Sequence, residues 1–219
     1  MNRSNFQHSL EQLHTQIIQM GSLIETAIED AITAFSTNDP PLCRAIMEND
    51  NRVDEAEKAI ESKCLWLIAR EQPVAGDLRR ITTALKMVTD MERIGDHASD
   101  IAELTLRIAD RNTFADSHHI PQMAAAATSM VRDAVTAYVN ADLDLARATE
   151  ERDDAVDDYF NLIKGELADI FGTQPQHIDH AIDLLLIAKY LERIADHAVN
   201  ICQWVHFSQT GEHKHTLIF

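Results

Sequence analysis

Met91-Glu92-Arg93-Ile94-Gly95-Asp96-His97-Ala98 is answered one hundred residues later by Leu191-Glu192-Arg193-Ile194-Ala195-Asp196-His197-Ala198. Each copy sets a Glu and an Asp four residues apart, one turn apart on one face of a helix. Like charges at that spacing cost a helix roughly 0.2–0.5 kcal/mol. Helix stability alone does not ask for them, and a bound cation is the obvious reason to keep them.

Outward from the first copy, Ala84, Met87, Met91, Ile94, Ala98 and Ile101 recur at steps of three and four, the period of one helical face. At about 100° per residue, Glu92 and Asp96 fall nearly opposite that stripe. The pair is therefore expected to point away from the bundle axis. Upstream, Leu10, Leu13, Ile17, Met20, Ile24, Ala27, Ala31 and Ala34 trace a first helix. Thr37-Asn38-Asp39-Pro40-Pro41 stops it, because proline cannot continue a helix. A second helix starts near Leu42 and ends at Gln72-Pro73. Ile46, Val53, Ala56, Ile60, Cys64 and Leu67 form its apolar side, and Asp50, Asp54, Glu57 and Glu61 run beside them. A third helix follows, with Asp77 or a neighbour as its cap.

The second half repeats the first. Asp30-Ala31-Ile32-Thr33-Ala34-Phe35 matches Asp133-Ala134-Val135-Thr136-Ala137-Tyr138 at an offset of 103 residues, which also carries Asp50 and Asp54 onto Asp153 and Asp157. Gln72-Pro73 maps to Gln174-Pro175 at 102 and Glu92 to Glu192 at 100. A nearly constant offset marks an internal repeat. The stretch from Arg111 to Pro121 has no helical period and reads as the linker. The expected fold is all-α: two tandem pseudo-symmetric three-helix bundles, six long helices, over residues 1–112 and 117–219. Exposed positions drift readily, since substitutions there cost little. Here the acids persist while core residues differ, Met87 against Ile187 and Met91 against Leu191. That persistence points to a role for the acids.

The 219 residues carry 36 acidic and 19 basic side chains, a net charge of −17. Such a chain repels nucleic acid and anionic membranes, and suits cations or a partner with a basic surface. Six Gly and five Pro leave little turn chemistry for a sheet. Cys43, Cys64 and Cys202 are odd in number and lack CxxC spacing. That favours a reducing compartment over a disulfide framework or a cysteine zinc site. No apolar run follows Met1 to Phe6, and the longest one, Ala181 to Leu191, is broken by Asp183 and Lys189. Neither a signal peptide nor a transmembrane helix is read, and the cytoplasm is the expected compartment.

Ligand sets made only of carboxylates suit oxygen-seeking cations: Mg²⁺, Ca²⁺, Mn²⁺ or iron. Asp50, Asp54, Glu92 and Asp96 form one candidate metal site; Asp153, Asp157, Glu192 and Asp196 form the other. Asp100 and Glu103 extend the first acid face, whereas Asn200 and Gln203 weaken the second. The two sites need not be equally strong. His97 and His197 sit about 100° round the helix from the neighbouring Asp and read as surface or packing residues. His177 and His180 read as capping or solvated residues near a helix start. A metal-dependent helical-bundle enzyme is the weaker alternative. Di-iron carboxylate bundles use an inward Glu-x-x-His pair, which these helices lack, and nothing resembles a Gly-rich phosphate loop or a nucleophile elbow.

With these residues in view, the chain resembles the PhoU family of bacterial phosphate-signalling and phosphate-transport accessory proteins. The likeness runs through Gln72-Pro73-Val74-Ala75-Gly76-Asp77-Leu78-Arg79 and Asp90 to Ala98, with a weaker repeat from Tyr190 to Ile201. The resemblance implies two three-helix bundles, metal clusters on E/D-x-x-x-D motifs, and a regulatory, non-enzymatic role. Carried over, the motif acids are Asp50, Asp54, Glu92, Asp96, Asp153, Asp157, Glu192 and Asp196. The ions implied are divalent or trivalent: magnesium, manganese, iron, calcium or zinc. The implied partners are the ATPase subunit of the phosphate ABC transporter and a membrane sensor histidine kinase, with a homodimer expected and no nucleic acid. Contact with the membrane would run only through those partners. The second half departs from the pattern: after Gln174-Pro175 the Ala-x-Asp-Leu-Arg portion gives way to Gln176-His177-Ile178-Asp179-His180. If that segment touches a partner, only the first half does so.

Overall fold

The computed structural model describes residues 3–108, 119–173, 175–213 and 216–217. The first half holds α1 (Arg3–Thr37), α2 (Pro40–Asn49), α3 (Asn51–Glu71) and α4 (Ala75–Arg107). The second holds α5 (His119–Asn140), α6 (Leu143–Glu150), α7 (Asp153–Thr173) and α8 (Ile178–Thr210). A 3-10 turn, Pro175–His177, precedes α8, and β1 (Glu212–His213) and β2 (Thr216–Leu217) follow it.

The turns obey the local sequence. Asn38 turns left-handed at φ 54°, and Asp39 then accepts a hydrogen bond from the Leu42 amide at 3.0 Å. Pro40 opens α2 where no amide donor is needed. The second half repeats the device with Ala141 at φ 53° and Asp142 accepting from Asp144 and Leu145.

The second helix read from sequence is two pieces with a kink between them. Asp50 keeps right-handed helical dihedrals, φ −55° and ψ −38°. The Val53 amide, however, donates to the Asp50 carbonyl at 2.8 Å, an i→i+3 bond that tightens the turn. α6 and α7 part at the matching place, where Arg152 and Ala155 make the same kind of bond to Thr149 and Arg152. Asp77 is not the cap of α4. Val74 takes that position with an extended backbone, and Asp77 lies in the first turn, where its charge suits the helix dipole. The linker also ends sooner than expected. α5 already contains His119, Ile120 and Pro121, since proline is tolerated in a first turn. The boundary drawn between residues 112 and 117 lies outside the described residues.

α4 and α8 lie against each other at the centre, α1 packs beside α5, and α3 and α7 flank α4 and α8. The whole stripe Ala84, Met87, Met91, Ile94, Ala98 and Ile101 is fully buried, as are Ile187, Leu191, Ile194, Ala198 and Ile201. Buried residues of both halves join in one continuous core. The fold is thus all-α, six long helical paths in two bundles fused along α4 and α8. The tail, which has no counterpart in the repeat, adds a minimal antiparallel ribbon of β1 and β2. Gly211 at φ 82° turns the chain out of α8, and His213 stacks on Trp204 with centroids 3.9 Å apart. Among the described residues no helix is long and apolar enough to cross a membrane.

Candidate metal centre

Asp50 stands at the α2–α3 kink and Asp54 one turn further on. Across from them on α4 are Glu92 and Asp96. One carboxylate oxygen from each of Asp54, Glu92 and Asp96 lies within 4.8 Å of the others. Gly95 eases this approach. A Cβ there would sit 3.0 Å from Val53 Cγ1, so the glycine lets α3 settle onto α4 beside the acids.

The acids do not point outward as expected. The side chains of Glu92 and Asp96 are only 18% and 29% exposed. The side of α4 opposite its apolar stripe faces α3, because α4 packs among α1, α2, α3 and α8. A helical wheel reads one helix and cannot show the neighbour that covers its polar side.

The carboxyl groups of this site hold their protons more tightly than free ones, chiefly through burial. Burial first, then the charges of Asp96, Asp54 and Asp100, push the Asp50 pKa up to about 6, while a hydrogen bond with Ser99 pulls it down. Glu92 is raised by burial and by Asp96, against Arg93. Asp96 is raised by burial, against Arg93, with Asp54 and Asp100 adding to the rise. Glu57 joins the groove, raised by burial and Glu61 and lowered by Thr89. Arg93 lies 3.0 Å from Asp96 and 3.4 Å from Glu92, but its side chain is largely exposed and such pairs contribute little. An all-oxygen donor set with this much unrelieved negative charge fits a hard divalent cation.

Asp153, Asp157, Glu192 and Asp196 hold the matching positions in the second half. Burial, then Asp196, Asp157, Asp154 and Glu192, push Asp153 up to about 6. Asp196 is raised by burial and Glu192, against Lys189. Among the described residues, no three of these acids bring oxygens as close as the first-half triad. Two sequence differences give a physical reason. Lys189 pairs with Glu192 where the first half has Thr89, and Ala195 replaces Gly95. Lys189 was legible three residues before Glu192, a spacing that brings side chains together on a helix.

The histidines pack between the halves. His97, 8% exposed, stacks on Tyr190 at 5.2 Å and tilts against His197 at 5.7 Å. His197 Nδ1 lies 2.8 Å from Asp90 Oδ1, which also accepts from Asn200. Sequence reasoning missed Asp90 and Tyr190. Their offset of 100 residues places them at equivalent points of the repeat, and that was the available signal.

The raised aspartates predict a pH dependence. A carboxyl whose folded pKa exceeds its unfolded value favours the folded state once protonated, so stability is lost as pH rises through the folded value. For Asp50 and Asp153 that loss begins above the ordinary value of 3.8 and is complete just above about 6. In chelator-treated protein, Asp50→Asn with Asp153→Asn should therefore melt higher than wild type at about pH 7.5, with the gap narrowing below about pH 6 and closing towards about pH 4. Titrating histidines are common to both proteins and cancel in the difference. A gap that stays constant with pH would contradict the assignment.

A family model described as the PhoU domain matches residues 17–105 and again 120–205. A phosphate-specific transport system accessory protein PhoU homolog of Clostridium acetobutylicum is 38% identical over 213 residues, 97% of each chain. A protein of the same description from Caulobacter vibrioides is 35% identical over 95% of this chain and 91% of its own length. Among solved structures, PhoU of Pseudomonas aeruginosa superposes with a TM-score of 0.88 at 30% identity, covering 94% of this chain and 100% of that one. The phosphate transport system regulatory protein PhoU of Streptococcus pneumoniae superposes with a TM-score of 0.89 at 27% identity, covering 98% and 99%. Matched over both repeats and nearly its whole length, this chain belongs to the PhoU family.

Proposed function

We propose that this protein is a metal-binding regulatory adaptor that restrains phosphate uptake and the phosphate-starvation response. Family membership carries the general phosphate-regulatory, non-catalytic role. The observation that supports metal binding is the approach of Asp54, Glu92 and Asp96 to within 4.8 Å of one another. The proposed ligands are Asp50, Asp54, Glu92 and Asp96 in residues 1–112, and Asp153, Asp157, Glu192 and Asp196 in residues 117–219. Magnesium, manganese, iron, calcium or zinc would neutralise either groove. The adaptor works in the cytoplasm as a homodimer, and its partners are the transporter's ATPase subunit and the sensor kinase.

The segment Ala75 to Arg80 and the acid faces are the proposed contact regions. Val74 beside that segment is 75% exposed, while Arg79 donates to the Ser208 carbonyl at 3.4 Å and so ties the segment to the end of α8. Deleting the gene should leave phosphate-starvation genes on in rich medium, or phosphate uptake unchecked. Substituting Glu92, Asp96, Glu192 and Asp196 together should reproduce much of that defect with helicity intact by circular dichroism. A folded quadruple variant that regulates normally would remove the acids from the function. Normal regulation in the deletion strain, once a second copy has been sought and ruled out, would remove the phosphate role.

A further inference from the structure

The two helix kinks are equivalent by position but filled differently. In the second half Arg152 folds back over α5. Its Nη1 donates to Ser129 Oγ at 3.1 Å, and its Nη2 to Asp133 Oδ2 at 2.5 Å and Thr149 Oγ1 at 3.2 Å. The 103-residue offset carries Ser129 onto Thr26, Asp133 onto Asp30, Thr149 onto Ile46 and Arg152 onto Asn49. The capping residues Asp39 and Asp142, and the left-handed Asn38 and Ala141, obey the same offset. The equivalence is therefore structural as well as sequential.

Thr26, Asp30, Ile46 and Asn49 line a cavity of about 280 Å³ between α1 and the α2–α3 kink. Asn49 is too short to do what Arg152 does. The Asp30 side chain makes no hydrogen bond or ion pair with another described residue. Arg52 also lines the cavity, but it is exposed and makes no bond to Asp30, so the first half keeps the niche of a guanidinium group with no arginine bonded in it.

We propose that this cavity receives an arginine side chain presented by a partner protein. Asp30 accepts from the guanidinium as Asp133 does, and the Thr26 hydroxyl takes the place of Ser129. Leu23, Ala27 and Val53 on the cavity wall cover the methylene stem. The guanidinium is the fitting guest because it is planar, permanently charged and forked, so it reaches two acceptors at once. A polypeptide side chain is the fitting source for two reasons. The second-half guest is itself one, and a chain of net charge −17 favours a basic partner surface. Asp50 borders the cavity but makes none of these bonds, so the inference stands apart from the metal reading.

The test uses N-acetyl-arginine amide titrated onto the full chain, followed by NMR. Saturable binding is expected, about tenfold tighter than for N-acetyl-lysine amide, the ratio for 1.4 kcal/mol. Asp30→Asn should abolish the preference. Asn49→Arg supplies the guest internally, so it should raise the melting temperature by about 2–4 °C and block the titration. Combined with Asp30→Asn, that gain should vanish. Because the variant is expected to stabilise, loss of binding in it cannot be put down to misfolding. Equal binding of the arginine and lysine probes, or binding untouched by Asn49→Arg, would overturn the niche. Free L-arginine binding about tenfold tighter than the blocked probe would overturn the partner protein in favour of a small-molecule site.

Discussion

Added to chelator-treated protein, Mg²⁺ or Mn²⁺ is expected to raise the melting temperature by about 5–11 °C at about a hundred times its dissociation constant. The range follows from about 2.7 kcal/mol of linkage at that excess and about 2–4 °C per kcal/mol for a chain of this size. The cause is local. Asp50, Glu92 and Asp96 all have raised pKa values, for which burial is the largest cause and neighbouring carboxylates an added one. A cation among the oxygens of Asp54, Glu92 and Asp96 relieves both costs. Glu92→Gln with Asp96→Asn should blunt the rise and also make the metal-free protein melt higher, since the repulsion goes with the charges. Glu192→Gln with Asp196→Asn should blunt it less, because Lys189 already pairs with Glu192. Calorimetry across a metal titration reads all three proteins. A wild-type melting temperature indifferent to both ions would leave only an acidic surface.

The repeated stretch was legible because a helix writes its buried face into the sequence at a fixed period. Every member of the Ala84 to Ile101 stripe is buried, and the duplication announced the second bundle. What one helix's period cannot carry is the identity of the neighbour on its polar side. Glu92 and Asp96 were therefore read as outward when α3 covers them. The kinks at Asp50 and Arg152 were equally illegible, since Asp50 and Glu151 keep right-handed helical dihedrals and no Pro or Gly marks them. The inequality of the two acid sites was only partly legible. Asn200 and Gln203 announced it, and Lys189 at i,i+3 from Glu192 was there to be read, but Gly95 acquires its meaning only when α3 is seen against α4. The ribbon of the tail had no counterpart to be compared with.

A single core running through both halves carries an expectation of its own. Leu191 is fully buried on α8, in the helix pair that joins the bundles. Leu191→Ala removes apolar contact and leaves a cavity, at a cost of about 2–5 kcal/mol. At about 2–4 °C per kcal/mol, the melting temperature should fall by several degrees at least. The distinguishing question is which parts of the molecule fall with it. Two tryptophans answer, Trp66 on α3 in the first half and Trp204 on α8 in the second. Single-tryptophan reporters, Trp66→Phe and Trp204→Phe, isolate the two signals. If the halves unfold as one cooperative unit, both reporters melt together, and Leu191→Ala moves the Trp66 signal as far as the Trp204 signal. A Trp66 transition that stays in place while the Trp204 transition drops would mean that α4 and α8 touch without sharing stability. The layer of His97, His197 and Tyr190 between them would then be a seam between two independent domains. The fully buried stripes of α4 between Met87 and Ile101 and of α8 between Ile187 and Ile201 argue for the shared transition.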